Sequence, residues 1–198
     1  MRMADYIVKE GVQLKYYREH AEEYIESTLH IDMRTAYGMV EKYIGEGASI
    51  LDVGFGSGRD MIYFSSKGYD VDGIDMEERF VSHALKENLV VHLGDAMTYQ
   101  TSKRYDLVWC CACLLHLQRT EIKKAVDNLY SLLKTNGIFF ISMKYSSKED
   151  GYDDQGRFFT YFSKKDIDGF PYPIEEVALT KDAEREDLEW VNLIIKKK

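Results

Sequence analysis

The chain has 198 residues, enough for one core of ordinary size and too few for two. Hydrophobic residues make up 45% and charged residues 30%, a balance that excludes a disordered or collagen-like chain. With 26 Lys and Arg against 34 Asp and Glu, the net charge of −8 argues against a protein that coats nucleic acid or an anionic membrane, both of which need a basic footprint.

The opening segment MRMADYIVKEGVQ carries charges throughout and has no continuous apolar stretch, so no secretory signal is read and a cytoplasmic location is expected. Leu14, Tyr17, Ala21, Tyr24 or Ile25, and Leu29 fall at a spacing near 3.6, which predicts an amphipathic helix. Met33, Tyr37, Val40 and Ile44 repeat the period, with Asp32 as the expected N-cap and Gly45 and Gly47 as the stop. Residues 1–47 read as a helical cap.

After Gly47 the period changes. ASILDVGF predicts a strand, GFGSG a glycine-rich turn and RDMIYFSSKG a helix. YDVDGIDM follows as a strand, EERFVSHALKE as a helix, VVHLGD as a third strand and YDLVWCCA as a fourth. The longest nearly apolar stretch, Val108 to Leu117, is half what a membrane-crossing helix needs. All three cysteines, Cys110, Cys111 and Cys113, lie within this stretch, so they cannot form a disulfide framework, and without further ligands at zinc spacing no metal site is expected.

TEIKKAVDNLYSLLK predicts the clearest helix, with Thr120 as N-cap and Asn136 and Gly137 beyond its end. GIFFISMKY then predicts a strand buried on both faces. Repeated alternation of strand and helix implies right-handed crossovers in a doubly wound, mostly parallel sheet. SSKEDGYDDQG has no apolar period and reads as an exposed loop, whereas PIEEVALTKD and EDLEWVNLIIKK read as an antiparallel edge hairpin turning near Ala183 to Arg185. The expected organisation is one domain over 1–198, with a cap at 1–47, an αβ core at 48–145 and a loop plus hairpin at 146–198.

LDVGFGSGRD places Gly54, Gly56 and Gly58 directly after a strand and before a helix, where glycine lets a ligand approach the backbone. Asp75 closes the next strand, and a carboxylate there can accept two hydrogen bonds from a ribose diol. The dinucleotide fingerprint GxGxxG requires glycine at position 59, where this chain has Arg59, so the spacing opposes a nicotinamide oxidoreductase.

These residues, together with GDA, YDLVWCCACLLHL and LLKTNGIFFISMK, occur in the order that the class I S-adenosylmethionine-dependent methyltransferases show, and the chain resembles that family from about Tyr17 to Lys144. GSGRD followed by YFSSKGYDVDGID is also similar to the tellurite-resistance type. The resemblance implies a Rossmann-like α/β fold with a seven-stranded sheet, a C-terminal antiparallel hairpin and a helical lid. It implies S-adenosylmethionine as cofactor, S-adenosylhomocysteine as product and, with the acidic charge, a small-molecule acceptor without nucleic acid or membrane. A cofactor-binding module without turnover is the alternative. SKKDIDGF is shorter than the family's last helix, which would leave the acceptor side open.

Carried over residue by residue, the resemblance implies that Gly54, Phe55, Gly56, Ser57 and Gly58 line the methionine part of the cofactor, with Asp52 ordering its amino group. Asp75 would hold the ribose hydroxyls, Met76 pack on the adenine, and Asp95 and Ala96 read its amino group. The main-chain carbonyl of Cys110 would face the cofactor. A cation at a helix N-terminus is disfavoured by the dipole, so Arg59 needs a partner, either the cofactor carboxylate or Asp60. Tyr17 would close over the site. His116, at the carboxyl edge of the sheet, is the candidate substrate-facing base, the alternative being a histidine packed against the following helix.

Overall fold

Residues 15–182, 185 and 187–198 are described by a computed structural model. Residues 15–19 are helical, the chain breaks step at His20, and α1 runs Ala21–Thr28. The described helix is thus interrupted at His20, whose ring stacks on Tyr16 and whose Nδ1 bonds the Tyr16 carbonyl at 2.9 Å. Leu14 lies outside the described residues. In α2 (Arg34–Glu41) the N-cap is Met33 rather than Asp32, whose carboxylate instead accepts the Arg34 main-chain N–H at 3.0 Å.

The αβ series follows as β1 (Ser49–Val53), α3 (Arg59–Ser66), β2 (Asp70–Asp75), α4 (Glu78–Lys86), β3 (Val90–Leu93) and β4 (Tyr105–Cys111). A 3₁₀ turn at Leu114–His116 leads to α5 (Arg119–Ser131) and β5 (Leu133–Tyr145). Helix α5 starts one residue before Thr120. Gln118 caps it, since the Gln118 N–H donates to Glu121 in a reciprocal capping box.

The sheet has the order β3-β2-β1-β4-β5-β9-β8, where β8 is Ile174–Lys181 and β9 is Glu189–Lys196. The first five strands are parallel, and β9 runs antiparallel to both β5 and β8, as the edge hairpin requires. Of the residues expected at its turn, Ala183 and Glu184 lie outside those described. Strand order reverses between β1 and β4, which opens a crevice at their carboxyl ends. Among the described residues no helix is long and apolar enough to cross a membrane.

Two cores cover the two sheet faces. Val108 and Cys110 of β4 pack with α5 on one side, while Leu107 and Trp109 pack with α2, α3 and α4 on the other, and Cys111 joins that second side. Cys110 and Cys111 therefore point to opposite faces, as strand alternation demands, and both are free thiols.

The stretch read as an exposed loop is partly ordered. β6 (Gly151–Tyr152) pairs antiparallel with β7 (Phe158–Phe159), and α6 (Lys164–Asp168) follows as a five-residue helix. The polar sequence conceals this because the ordering partners are distant: Phe159 is buried in the main core, and Arg119 on α5 holds both Asp150 and Asp166.

Gly54 lies at φ +67°, and a Cβ added to it would run into the Cys113 sulfur. Strain and collision act together, so Gly54→Ala should destabilise the fold by more than about 1 kcal/mol. A thermal melt checks this; a variant that melts like the parent would show that the turn relaxes freely.

Candidate cofactor site and adjoining chamber

Two chambers meet at the crevice. The first, about 200 Å³, is walled by Gly54 and Gly56 after β1, Asp75 and Met76 after β2, Gly94 to Met97 after β3, and Ala112 and Cys113 after β4. Tyr17, Tyr24, Phe80 and His116 close it. The second, about 510 Å³, shares Tyr17, Tyr24, Gly54, Ala112 and His116 with the first and extends over the ends of β5 and β9.

Asp75 is held by the backbone on both sides. Its Oδ2 accepts the Gly56 N–H at 3.0 Å and its Oδ1 accepts the Glu77 N–H at 2.9 Å, so the glycine turn and the start of α4 aim one carboxylate at the first chamber. Burial pushes its pKa up to about 6, against the lowering effect of those N–H donors. Asp95 lines the same chamber, with Oδ1 accepting the Met97 N–H at 2.7 Å.

Tyr17 and His116, 99 positions apart, stand at the junction of the chambers and bond at 2.8 Å. The His116 Nδ1 lies 2.9 Å from the Phe158 carbonyl, which can only accept, so Nδ1 carries the proton and Nε2 accepts the Tyr17 hydroxyl hydrogen. Burial lowers the His116 pKa to about 4 and raises that of Tyr17, which keeps both neutral. Placed this way, His116 fixes Tyr17 and has no ring nitrogen free to take a proton. Burial also pushes Tyr24 up to about 12.

Arg59 finds its partner in Asp60. The two form a bidentate pair at 2.7 and 2.9 Å, and Asp60 also accepts from Tyr37 Oη at 2.6 Å and Trp109 Nε1 at 2.9 Å. Four bonds converge on a carboxylate that is 6% exposed.

Of the residues singled out from sequence, Tyr17, Gly54, Gly56, Asp75, Met76, Asp95, Ala96 and His116 line the first chamber. Phe55, Ser57 and Arg59 line the second. Asp52, Gly58 and Cys110 wall neither. Gly58 instead caps α3 at φ +77°, and Cys110 pairs with Ile141 one residue before the end of β4, fully buried. Asp52 is buried with Oδ2 unpartnered, and burial together with Asp60 raises its pKa well above the usual carboxylate range. Sequence reasoning missed Phe80, Met97 and Cys113 as chamber residues. Phe80 falls in the apolar period of α4, which identifies a buried residue but not the wall it borders.

Residues 50–137 match the model of the methyltransferase domain family. The chain is 32% identical over 110 residues to a ribosomal protein L11 methyltransferase of Dictyoglomus turgidum, a match covering 52% of this chain and 35% of that one. It spans 35% to 57% of the length of the curated relatives it matches. The fold superposes on Burkholderia thailandensis 1,6-didemethyltoxoflavin-N1-methyltransferase, solved with 1,6-didemethyltoxoflavin and S-adenosylhomocysteine bound, at a TM-score of 0.79 and 18% identity, over all of this chain and 91% of that one. Against TehB from Haemophilus influenzae the TM-score is 0.69 at 18% identity, over 92% of this chain and 67% of that one. Residues 50–137 thus match a methyltransferase domain, and the fold is the Rossmann-like one of the solved methyltransferases on which the chain superposes.

Proposed function

We propose that this chain transfers the methyl group of S-adenosylmethionine to a small-molecule acceptor held in the second chamber. The observation that carries the reading is the pair of chambers meeting at Tyr17, Gly54, Ala112 and His116, so that a donor in one and an acceptor in the other share a single contact zone. A volume of about 510 Å³ lies within the range of small-ligand sites, which favours a molecule over a protein surface.

The residues present fit the cofactor. Gly54 and Gly56 let Cys113 and Tyr24 pack onto the turn where a Cβ would collide with them, which keeps the turn's backbone at the chamber wall, and Asp75 offers a fixed carboxylate to a diol. Met76 would flank the adenine, and Asp95 with the Ala96 backbone would read its amino group. When bound, the cofactor supplies a methyl group on a sulfonium, already activated for displacement. The chain's own task is to bind, align and exclude water. Tyr17 and Tyr24 cover the junction, and His116 keeps Tyr17 in place as a neutral acceptor. No general base is assigned, because His116 has both nitrogens engaged.

Thermal melts with S-adenosylmethionine, S-adenosylhomocysteine and NAD in parallel test the cofactor. A ligand at about 100 times its dissociation constant adds roughly 2.7 kcal/mol, a rise of about 5–10 °C for a chain of this size. A rise with the first two alone is expected; a rise with NAD alone would overturn the reading. Formation of S-adenosylhomocysteine across an acceptor panel then separates an enzyme from a binding module without turnover.

A further inference from the structure

We propose that the acceptor is an anion, a small molecule whose carboxylate or phosphate seats on Lys144 at the end of β5. This rests on the reading of the second chamber as the acceptor site. The argument begins with pairing. The arginines bordering that chamber each hold a carboxylate: Arg59 has Asp60, Arg157 has Asp153 at 2.7 Å, and Arg185 has Asp182 at 2.8 Å. Lys144 is partly buried, and among the described residues no carboxylate lies within ion-pair distance of it. Its Nζ rests 3.5 Å from the centroid of the Phe159 ring, and the Arg157 guanidinium lies 5.3 Å from the same centroid.

A partly buried ammonium without a counter-ion is costly, and the cost shows as a lowered affinity for the proton. Burial first, then Arg185 and Arg157, bring the Lys144 pKa down to about 8, while Asp153 and Asp182 act in the opposite sense but are engaged by those arginines. An incoming anion supplies the missing charge at a place where solvent competes weakly, so charge-assisted bonds there are strong. In a chain of net charge −8 this is an unusual local balance, and it faces the chamber rather than bulk solvent.

Register connects this lysine to the junction. Ser142 and Lys144 lie two apart on β5 and both line the chamber. Ser142 pairs with Cys111, and its carbonyl accepts the N–H of Ala112, which stands at the junction of the chambers.

The test compares matched probes on the protein saturated with S-adenosylhomocysteine: benzoate and naphthoate against their carboxamides, and phenyl phosphate against phenol, measured by calorimetry. The anions should bind about tenfold or more tighter than their neutral partners. Lys144→Gln should erase that preference and Lys144→Arg should keep most of it, both variants still binding S-adenosylhomocysteine as the parent does. Parity between charged and neutral probes, no binding by any anion, or a preference that survives Lys144→Gln would overturn the proposal. Loss of S-adenosylhomocysteine binding by the parent protein would instead strike the cofactor reading, so the two failures are distinguishable.

Discussion

Replacing Asp60 with alanine should lower the melting temperature by about 6–20 °C. The carboxylate is buried and takes four hydrogen bonds, two from Arg59 and one each from Tyr37 and Trp109. Removing one partner of a buried ion pair costs about 3–5 kcal/mol, because the other charge stays behind without compensation. Here the Arg59 side chain is 17% exposed and cannot turn fully to water, while the Tyr37 hydroxyl and the Trp109 N–H are stranded as well. At about 2–4 °C per kcal/mol for a chain of this length, the stated range follows. The expected order of melting temperatures is parent, then Asp60→Asn, then Asp60→Ala, since asparagine retains one acceptor oxygen. The effect of Arg59→Met should be smaller in the Asp60→Asn background than in the parent, because the charge it removes is already unpaired there. A loss below about 1 kcal/mol for Asp60→Ala would mean that water replaces the carboxylate, and the knot would not be a source of stability.

The second large effect concerns the cofactor. Asp75→Ala should weaken S-adenosylhomocysteine binding by about 10- to 10⁴-fold, corresponding to one or two charge-assisted hydrogen bonds of about 1.5–3 kcal/mol each. The carboxylate is preorganised for the task. Each oxygen already accepts one backbone N–H, from Gly56 or Glu77, which leaves each with a lone pair for a ribose hydroxyl. The pH dependence follows from the raised pKa, about 6 in the free protein. Below that value the folded protein carries a proton on Asp75, and the proton must leave before both oxygens can accept. Affinity should therefore be level above pH 7 and fall about tenfold per pH unit below about 6, with protons released on binding. Calorimetry from pH 5 to 8 in two buffers of different ionisation enthalpy reads affinity and proton release together. In Asp75→Ala the slope should vanish; if the slope persists there, another group titrates with binding and the assignment of Asp75 is wrong.

Much of the molecule was legible along the chain. The strand, glycine turn and helix at 49–66 follow from short-range rules: alternation, a φ that only glycine adopts without strain, and the 3.6 period. Gly54, Gly56 and Asp75, placed together from the strand–turn–helix context and the family resemblance, do line one chamber. The breaks in that reading occur where a polar side chain chose a partner. His20 took the Tyr16 carbonyl at the point where a helix is interrupted although its apolar period runs on unbroken. Gln118 and Glu121 closed a capping box that displaced Thr120. Arg119 gathered Asp150 and Asp166 and ordered a segment with no apolar pattern of its own.

By itself the sequence determined the class of fold and the position of the glycine turn after the first strand, because backbone geometry and hydrophobic period are properties of neighbouring residues. Tertiary structure alone decided which partner each polar group has. His116 meets Tyr17 across 99 positions and ceases to be a free base, Arg59 closes on Asp60 beneath Tyr37 and Trp109, and Lys144, among the described residues, is left without a carboxylate beside Phe159. The energy of a charge or a hydrogen bond depends on what lies within a few ångströms and on how much water remains there, and for these residues both are set by chain segments far away in sequence.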